Sequence, residues 1–267
     1  MSNNFDSLVV LNECFSNIQY FDKDHKYTID GIPAKISVSS AIKKYEKEFE
    51  KEKIAAHVAR KNGKTINEVL TEWKFKADYS CHKGSEFHLF VENLLERRKI
   101  TIDKDALNLF ASSQSIILEN NFTNQYYSEM AKMIGNFMNF YNWWKEDHII
   151  LKSEFVVGDK SGICGSLDNL SYNKKTKKLV IFDYKTNKEI KTKNPKGDTF
   201  FEPFTHLQNC ELVKYSIQIW LYKLIIEKNS PFEIDNGYIV WVAGDNDYEL
   251  IPVLDLKMEA ELILKNL

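Results

Sequence analysis

The chain carries four cysteines, Cys14, Cys81, Cys164 and Cys210, and no two of them stand in C-x-x-C spacing. That excludes a zinc or iron–sulfur site built from local motifs and leaves reduced thiols in a cytosolic compartment as the simplest reading. Long apolar runs are also missing. None approaches the ~18 residues of a membrane span, and no apolar core follows a basic start at the N-terminus. The expectation is a soluble, unexported, cytoplasmic protein with no membrane partner. There is no internal repeat and no low-complexity tract. An excess of positive charge is lacking too: Lys and Arg total 36 against 38 Asp and Glu, for a formal net charge of −2. Such a balance excludes indiscriminate coating of nucleic acid.

What is present is ample apolar content, 43% over 267 residues, enough for one large domain or one domain with an added helical part. Lysine is unevenly placed. Residues 171–197 hold nine lysines against Asp183 and Glu189, either a solvated loop or a phosphate-facing one.

Local patterns predict the elements. Lys26–Ile29 followed by Asp30-Gly31 reads as strand and turn. Ser37 is a candidate cap for a helix over 40–60 that ends at Asn62-Gly63. Thr65 caps a short helix to Lys76, with Glu68 at its third position. A separate helix starts at Gly84 and runs to about Arg98; two more are expected at 104–119 and 124–145. A strand at 149–157 precedes a hairpin, 187–205 is a long polar loop, and 207–228 is helical. A second hairpin turns at 244–247, and a short helix follows Asp255. Helices followed by strands with one helix among them indicate α/β with a central mixed sheet flanked by helices.

The first hairpin is the most informative stretch. Gly165-Ser-Leu-Asp168 and Leu179-Val-Ile-Phe-Asp183-Tyr-Lys185-Thr186 flank the turn Asn173–Lys178. Residues two apart on a strand share a face, so Asp183 and Lys185 point the same way. A four-residue loop at 174–177 pairs Tyr172 with Leu179 and Asp168 with Asp183, and opposed residues lie about 4.5–5.5 Å apart at Cβ. Two carboxylates so placed call for a cation between them. Oxygen donors suit Mg²⁺ or Mn²⁺, one ion or two, and Lys185 would orient or deprotonate a bound water. An Asp183 salt bridge with Lys185 or Lys178 is the plainer alternative.

Other residues join this set. Glu154 lies inside an apolar strand and needs a partner there. His88 sits four residues after Gly84 and would reach a metal or a phosphate, with Glu92 one turn on to hold its ring. Gln218 and Tyr222 share a helix face, and Tyr215 extends that line. Each has a structural alternative: an edge position, a packed histidine, a boundary stripe.

In order and spacing, Gly84-x-x-x-His88, Glu154, Gly165-x-x-Asp168, Asp183-Tyr-Lys185-Thr186 and Gln218-x-x-x-Tyr222 resemble the PD-(D/E)XK nuclease superfamily, in its RecB-like and phage-exonuclease-like branches. The resemblance spans about residues 84–225. It implies a restriction-endonuclease-like αβββαβ core with an N-terminal helical extension. It divides the single nuclease domain 1–267 into an N-terminal hairpin and helical arm (1–83), a core (84–228) and a C-terminal hairpin and helix (229–267). By position Asp168, Asp183, His88 and the Tyr184 carbonyl would hold the metal, with Lys185, Glu154, Gln218 and Tyr222 completing the catalytic set. The implied activity is Mg²⁺- or Mn²⁺-dependent DNA hydrolysis, as an exonuclease in recombination, repair or phage DNA processing. An endonuclease or nickase, or a catalytically idle DNA-binding module, stands as the alternative. Lys188, Lys191, Lys193 and Lys196, with Phe200 and Phe201, are candidates to grip DNA. No cysteine follows Cys210, so the iron–sulfur subclass is not expected. A single-strand-binding protein or a recombinase is a candidate partner, and a homo-oligomer is compatible with the family.

Overall fold

A computed structural model of the chain describes residues 4–21, 26–98 and 122–267. The helix expected at 104–119 lies outside the described residues. In chain order the elements are α1 (Asn4–Cys14), β1 (Ile18–Phe21), β2 (Lys26–Ile29), β3 (Ile32–Pro33), β4 (Ile36–Ser37), α2 (Val38–Lys43), α3 (Lys51–Asn62), α4 (Ile66–Leu95), α5 (Phe122–Asp147), β5 (His148–Gly158), β6 (Ile163–Asn173), β7 (Leu179–Lys185), α6 (Glu211–Asn229), β8 (Ile234–Trp241), β9 (Glu249–Pro252) and α7 (Lys257–Lys265).

β7 is apolar at every position from Leu179 to Phe182, as a strand covered on both faces must be. Leu179 and Ile181 face a core shared with α6, α7, α1 and α2. Val180, Phe182 and Tyr184 face a second core shared with α4 and α5. Helix α5 supplies this second core through Tyr126, Met130, Met133, Phe137, Phe140 and Trp144, all buried and spaced by three and four, one stripe of an amphipathic helix. The sheet is mixed. β6 pairs antiparallel with β5 and β7, β7 parallel with β8, and β8 antiparallel with β9, while β4 joins β6 in parallel. From α4 onward the described order is helices, three strands, helix, strand, which contains the expected αβββαβ series. A small antiparallel sheet, β1-β2-β3, shares no ladder with the large one, and its tight turn is made by Asp30 and Gly31 with φ of 52° and 77°. Among the described residues no helix is long and apolar enough to cross a membrane.

Several expectations are corrected. The helix predicted over 40–60 is two helices, α2 and α3, broken at 44–50. Tyr45 packs edge-on against Phe204 with ring centroids 4.8 Å apart, and its carbonyl accepts from the Phe201 amide at 2.7 Å, so this backbone bonds to a loop. The helices expected at 65–76 and from Gly84 are one, the 30-residue α4. Its start is as expected: Thr65 accepts from the Glu68 amide at 3.2 Å, and the Glu68 carboxylate accepts from the Thr65 amide at 2.7 Å. Nothing between Lys76 and Gly84 breaks a helix, and one glycine costs only about 1 kcal/mol. Helix α6 starts at Glu211, not 207, because Leu207 turns back to bond the Phe204 carbonyl at 3.0 Å.

Helix α6 crosses from β7 to β8 and lies so close to β8 that only glycine fits at 237. A Cβ there would stand 2.2 Å from Ile219 Cγ2. Gly237→Ala is therefore expected to cost about 1–3 kcal/mol of stability, read as a lowered urea midpoint with unchanged slope.

Candidate metal centre

The site forms where β6 loses a neighbour. One edge of β6 is held by β5 through most of its length. The other is held by β4 at Ile163 and Cys164 and by β7 at Asn169 to Tyr172. Between them, Gly165 to Asp168 has no ladder partner on that side. Tyr172 pairs with Leu179 and Asn169 with Phe182, the register expected from a four-residue loop. Asp168 and Asp183 are therefore next in line at the mouth of the gap.

Helix α6 covers the gap. A Cβ on Gly165 would lie 2.8 Å from Tyr222 Cε1, so the glycine admits the phenol ring. The Tyr222 hydroxyl donates to the Ser166 carbonyl at 2.7 Å, and Gln218 Nε2 lies 3.5 Å from that hydroxyl. Tyr222 is buried and braces the unpaired strand.

From the neighbouring strand, β5 presents Glu154. The β5–β6 ladder pairs Ser153 with Asn169 and Phe155 with Leu167, leaving Glu154 out between them. Its φ is +45°, a left-handed conformation rare for a residue with a side chain and worth about 1–3 kcal/mol of strain. Ser166 Oγ donates to Glu154 Oε2 at 3.1 Å. Helix α4 brings His88, whose Nδ1 lies 3.5 Å from Glu154 Oε1 and 3.6 Å from Asp168 Oδ1. Gly84, a turn earlier, lets α4 pass Thr186, whose Oγ1 would be 3.2 Å from a Cβ there. Glu92, expected to orient His88, is bound instead to Arg98 at 2.9 Å; the ring is oriented by the two carboxylates.

Asp168 Oδ2 accepts from the Tyr184 amide at 2.6 Å. Asp183 and Lys185 form an ion pair, the plainer alternative from the sequence, but a buried one: their side chains are 4% and 17% exposed. Lys178 pairs with Glu233 at 2.9 Å and takes no part. The Lys185 ammonium also sits 4.4 Å above the Tyr215 ring.

The electrostatics follow from placing two buried carboxylates and a half-buried one beside one ammonium and one imidazole. Burial first, and Asp183 second, raise Asp168 well above the usual carboxylate range. Burial lowers His88, but Asp168, Glu154 and Asp183 together outweigh it and lift the ring to about 9. Burial also works against the Lys185 ammonium, yet Asp183 and Asp168 keep its pKa raised. Acidic groups outnumber basic ones three to two, and their crowding is what raises Asp168, as in a site built for a cation. His88, Glu154 and Asp168 each offer a donor atom within 4.8 Å of the others. The buried Asp183 Oδ2 faces the Lys185 ammonium and has no hydrogen bond besides among the described residues. One imidazole with carboxylate oxygens fits Mn²⁺ or Mg²⁺.

The structure thus brings His88, Glu154 and Asp168 into one cluster, with Asp183 and Lys185 beside it. Glu154, assigned from sequence to a catalytic role, stands within ligand distance. Ser166 and Tyr27 were not singled out. Tyr27 is raised to about 12 by burial, then by Tyr20 and Glu154, which places it near the site. Ser166 had a signal, since it precedes Asp168 by two on the same strand; Tyr27 had none. Of the lysines proposed for DNA, Lys191 lies 3.6 Å from Glu189, while Lys188 and Lys196 line two separate grooves. Phe200 is buried and offers no face to a base, whereas Phe201 is exposed.

No family model and no curated protein matches the chain. Among solved structures it is similar to a crystal structure from Eubacterium rectale provisionally named as an exonuclease, at 14% identity and a TM-score of 0.37, over 70% of this chain and 64% of that one. At that TM-score the likeness carries no argument about function.

Two outcomes are expected. The folded pKa of His88 lies above its ordinary value of 6.5, so the native state keeps a proton that the unfolded chain releases. Its stabilisation is complete below pH 6.5 and is lost as pH rises towards 9. In EDTA the melting temperature should fall across that window, with Asp168, also raised by burial, adding to the fall, and His88→Gln should remove the part that belongs to the imidazole. Second, Glu154→Asn should raise stability by about 1 kcal/mol, because asparagine tolerates the left-handed conformation and one repelling charge is removed. The same variant should weaken Mn²⁺ binding by calorimetry.

Proposed function

We propose that this chain is a divalent-metal-dependent nuclease of the PD-(D/E)XK superfamily that hydrolyses phosphodiester bonds in DNA. The observation that carries this reading is the meeting of Glu154, Asp168 and Asp183 with Lys185 and His88 at the parted strands. Pairing of Asp183 with Lys185 alone leaves the other two carboxylates to share a single imidazole.

On this reading Asp168, Asp183, His88 and the Tyr184 carbonyl, with Glu154, hold Mg²⁺ or Mn²⁺. The bound ion would polarise a phosphate oxygen and acidify a water. Lys185, pinned between Asp183 and the Tyr215 ring, presents its ammonium to the phosphate and orients the attacking water. Tyr222 keeps the β6 edge in place through Ser166, and Gln218 donates towards the scissile group. Lys188, Lys191, Lys193 and Lys196 contact the phosphates on either side. Exonuclease action is the specific form proposed.

The test uses labelled linear and covalently closed circular DNA with Mg²⁺ or Mn²⁺. Linear DNA should be degraded from its ends and circles spared; cut circles would make the enzyme an endonuclease or nickase. Lys185→Ala should lower the rate by about 10²–10⁴-fold while DNA binding persists. Folded wild-type protein that cleaves neither substrate with either metal would sink the proposal.

A further inference from the structure

The break between α2 and α3 faces the loop 194–201 across a groove of about 960 Å³. Two contacts join the break to this loop and a third joins it to α6. The Phe201 amide donates to the Tyr45 carbonyl at 2.7 Å, Lys47 pairs with Asp198 at 2.8 Å, and Lys214 pairs with Glu46 at 2.6 Å. With the walls fixed, two phenyl rings still face solvent. Phe49 is 60% exposed and Phe201 is 52% exposed, and both line the groove. Phe49 rests on Trp73, with ring centroids 5.9 Å apart, and both phenyl rings keep more than half of their surface open.

The charges left over are positive. Asp198, Glu46 and Glu50 are matched by Lys47, Lys214 and Lys53. Lys43, Lys51 and Lys196 also line the groove, and no ion pair among the described residues engages them; Glu48 is the lone unmatched carboxylate on these walls. Lys214, which lines the groove, is the residue before Tyr215 on α6, whose ring lies under Lys185.

We infer that this groove binds single-stranded nucleic acid, with Phe49 and Phe201 stacking on bases and Lys43, Lys51 and Lys196 holding phosphates. Open aromatic faces flanked by lysines suit unpaired bases, because a duplex keeps its bases stacked on each other. The inference rests on the nuclease reading and narrows it: the strand delivered to Lys185 is unpaired, either single-stranded DNA or a frayed end.

The test is fluorescence anisotropy with a labelled oligothymidylate and with a hairpin duplex, in EDTA so that nothing is cut. Phe49→Ala/Phe201→Ala should weaken oligothymidylate binding by about 10-fold or more in protein that keeps its native circular-dichroism spectrum, and Phe201→Ala alone, which leaves the Phe49–Trp73 contact in place, should weaken it in the same direction. Lys43→Ala/Lys51→Ala/Lys196→Ala should reduce the salt slope by about 0.7 for each phosphate that is no longer neutralised. Equal oligothymidylate affinity of wild type and the double variant would overturn the inference, as would tighter binding of the duplex. A parallel Mn²⁺ cleavage assay separates the two claims. Cleavage with unaltered binding in the variant removes the groove alone; groove-dependent binding with no cleavage removes the nuclease alone.

Discussion

Strand β6 has two different neighbours on one edge and none between them, and the cluster of acidic groups and imidazole depends on that interruption. Had β7 paired with β6 as far as Gly165, backbone hydrogen bonds would have filled the space in which the site now lies. Instead β4 takes the first residues, β7 the last, and Gly165 to Asp168 is left with spare edge groups. Tyr222 satisfies the Ser166 carbonyl, and the Asp168 side chain reaches across to the Tyr184 amide in place of a backbone acceptor. A carboxylate doing the work of a carbonyl is thereby fixed beside the end of β7.

The same interruption concentrates unfavourable terms. Glu154 is held in a conformation that its side chain disfavours, Asp168 is buried near Asp183, and His88 and Lys185 offset only part of the charge. These local costs are carried by two ordinary cores, one on each face of the sheet, whose apolar stripes lie on α5 and α6. Ser166 connects the two parts: its carbonyl takes the α6 tyrosine and its hydroxyl holds Glu154. A packed helix thus bears on the Glu154 carboxylate through Ser166.

Much of this was legible in the sequence. The Asn173–Lys178 turn defined the register, and register alone placed Asp168 opposite Asp183 and put Lys185 on the same face. The α/β class and the order of elements around the hairpin were legible because alternation and helical stripes are local. Tertiary contacts decided the rest. Nothing in 40–60 says that Tyr45 will bond a loop far along the chain, so the break before α3 was invisible. Gly84 looks like a helix start, and only Thr186 shows why it is glycine. Phe200 and Phe201 are neighbours of one type, and the fold buries one and exposes the other. Glu154 was legible as a carboxylate in need of a partner, but its positive φ has no signature in sequence.

The continuity of α4 has a mechanical consequence. Its capping box fixes one end at Thr65, and no proline or π-bulge interrupts it before Leu95. Trp73, near its start, touches Phe49 with ring centroids 5.9 Å apart, and His88 stands fifteen residues further on, about 22 Å at the rise of a helix. A stiff strut of this kind does not absorb displacement along its axis. Trp73 of the aromatic pair and the imidazole that faces Asp168 thus stand on one uninterrupted element, more than four turns apart.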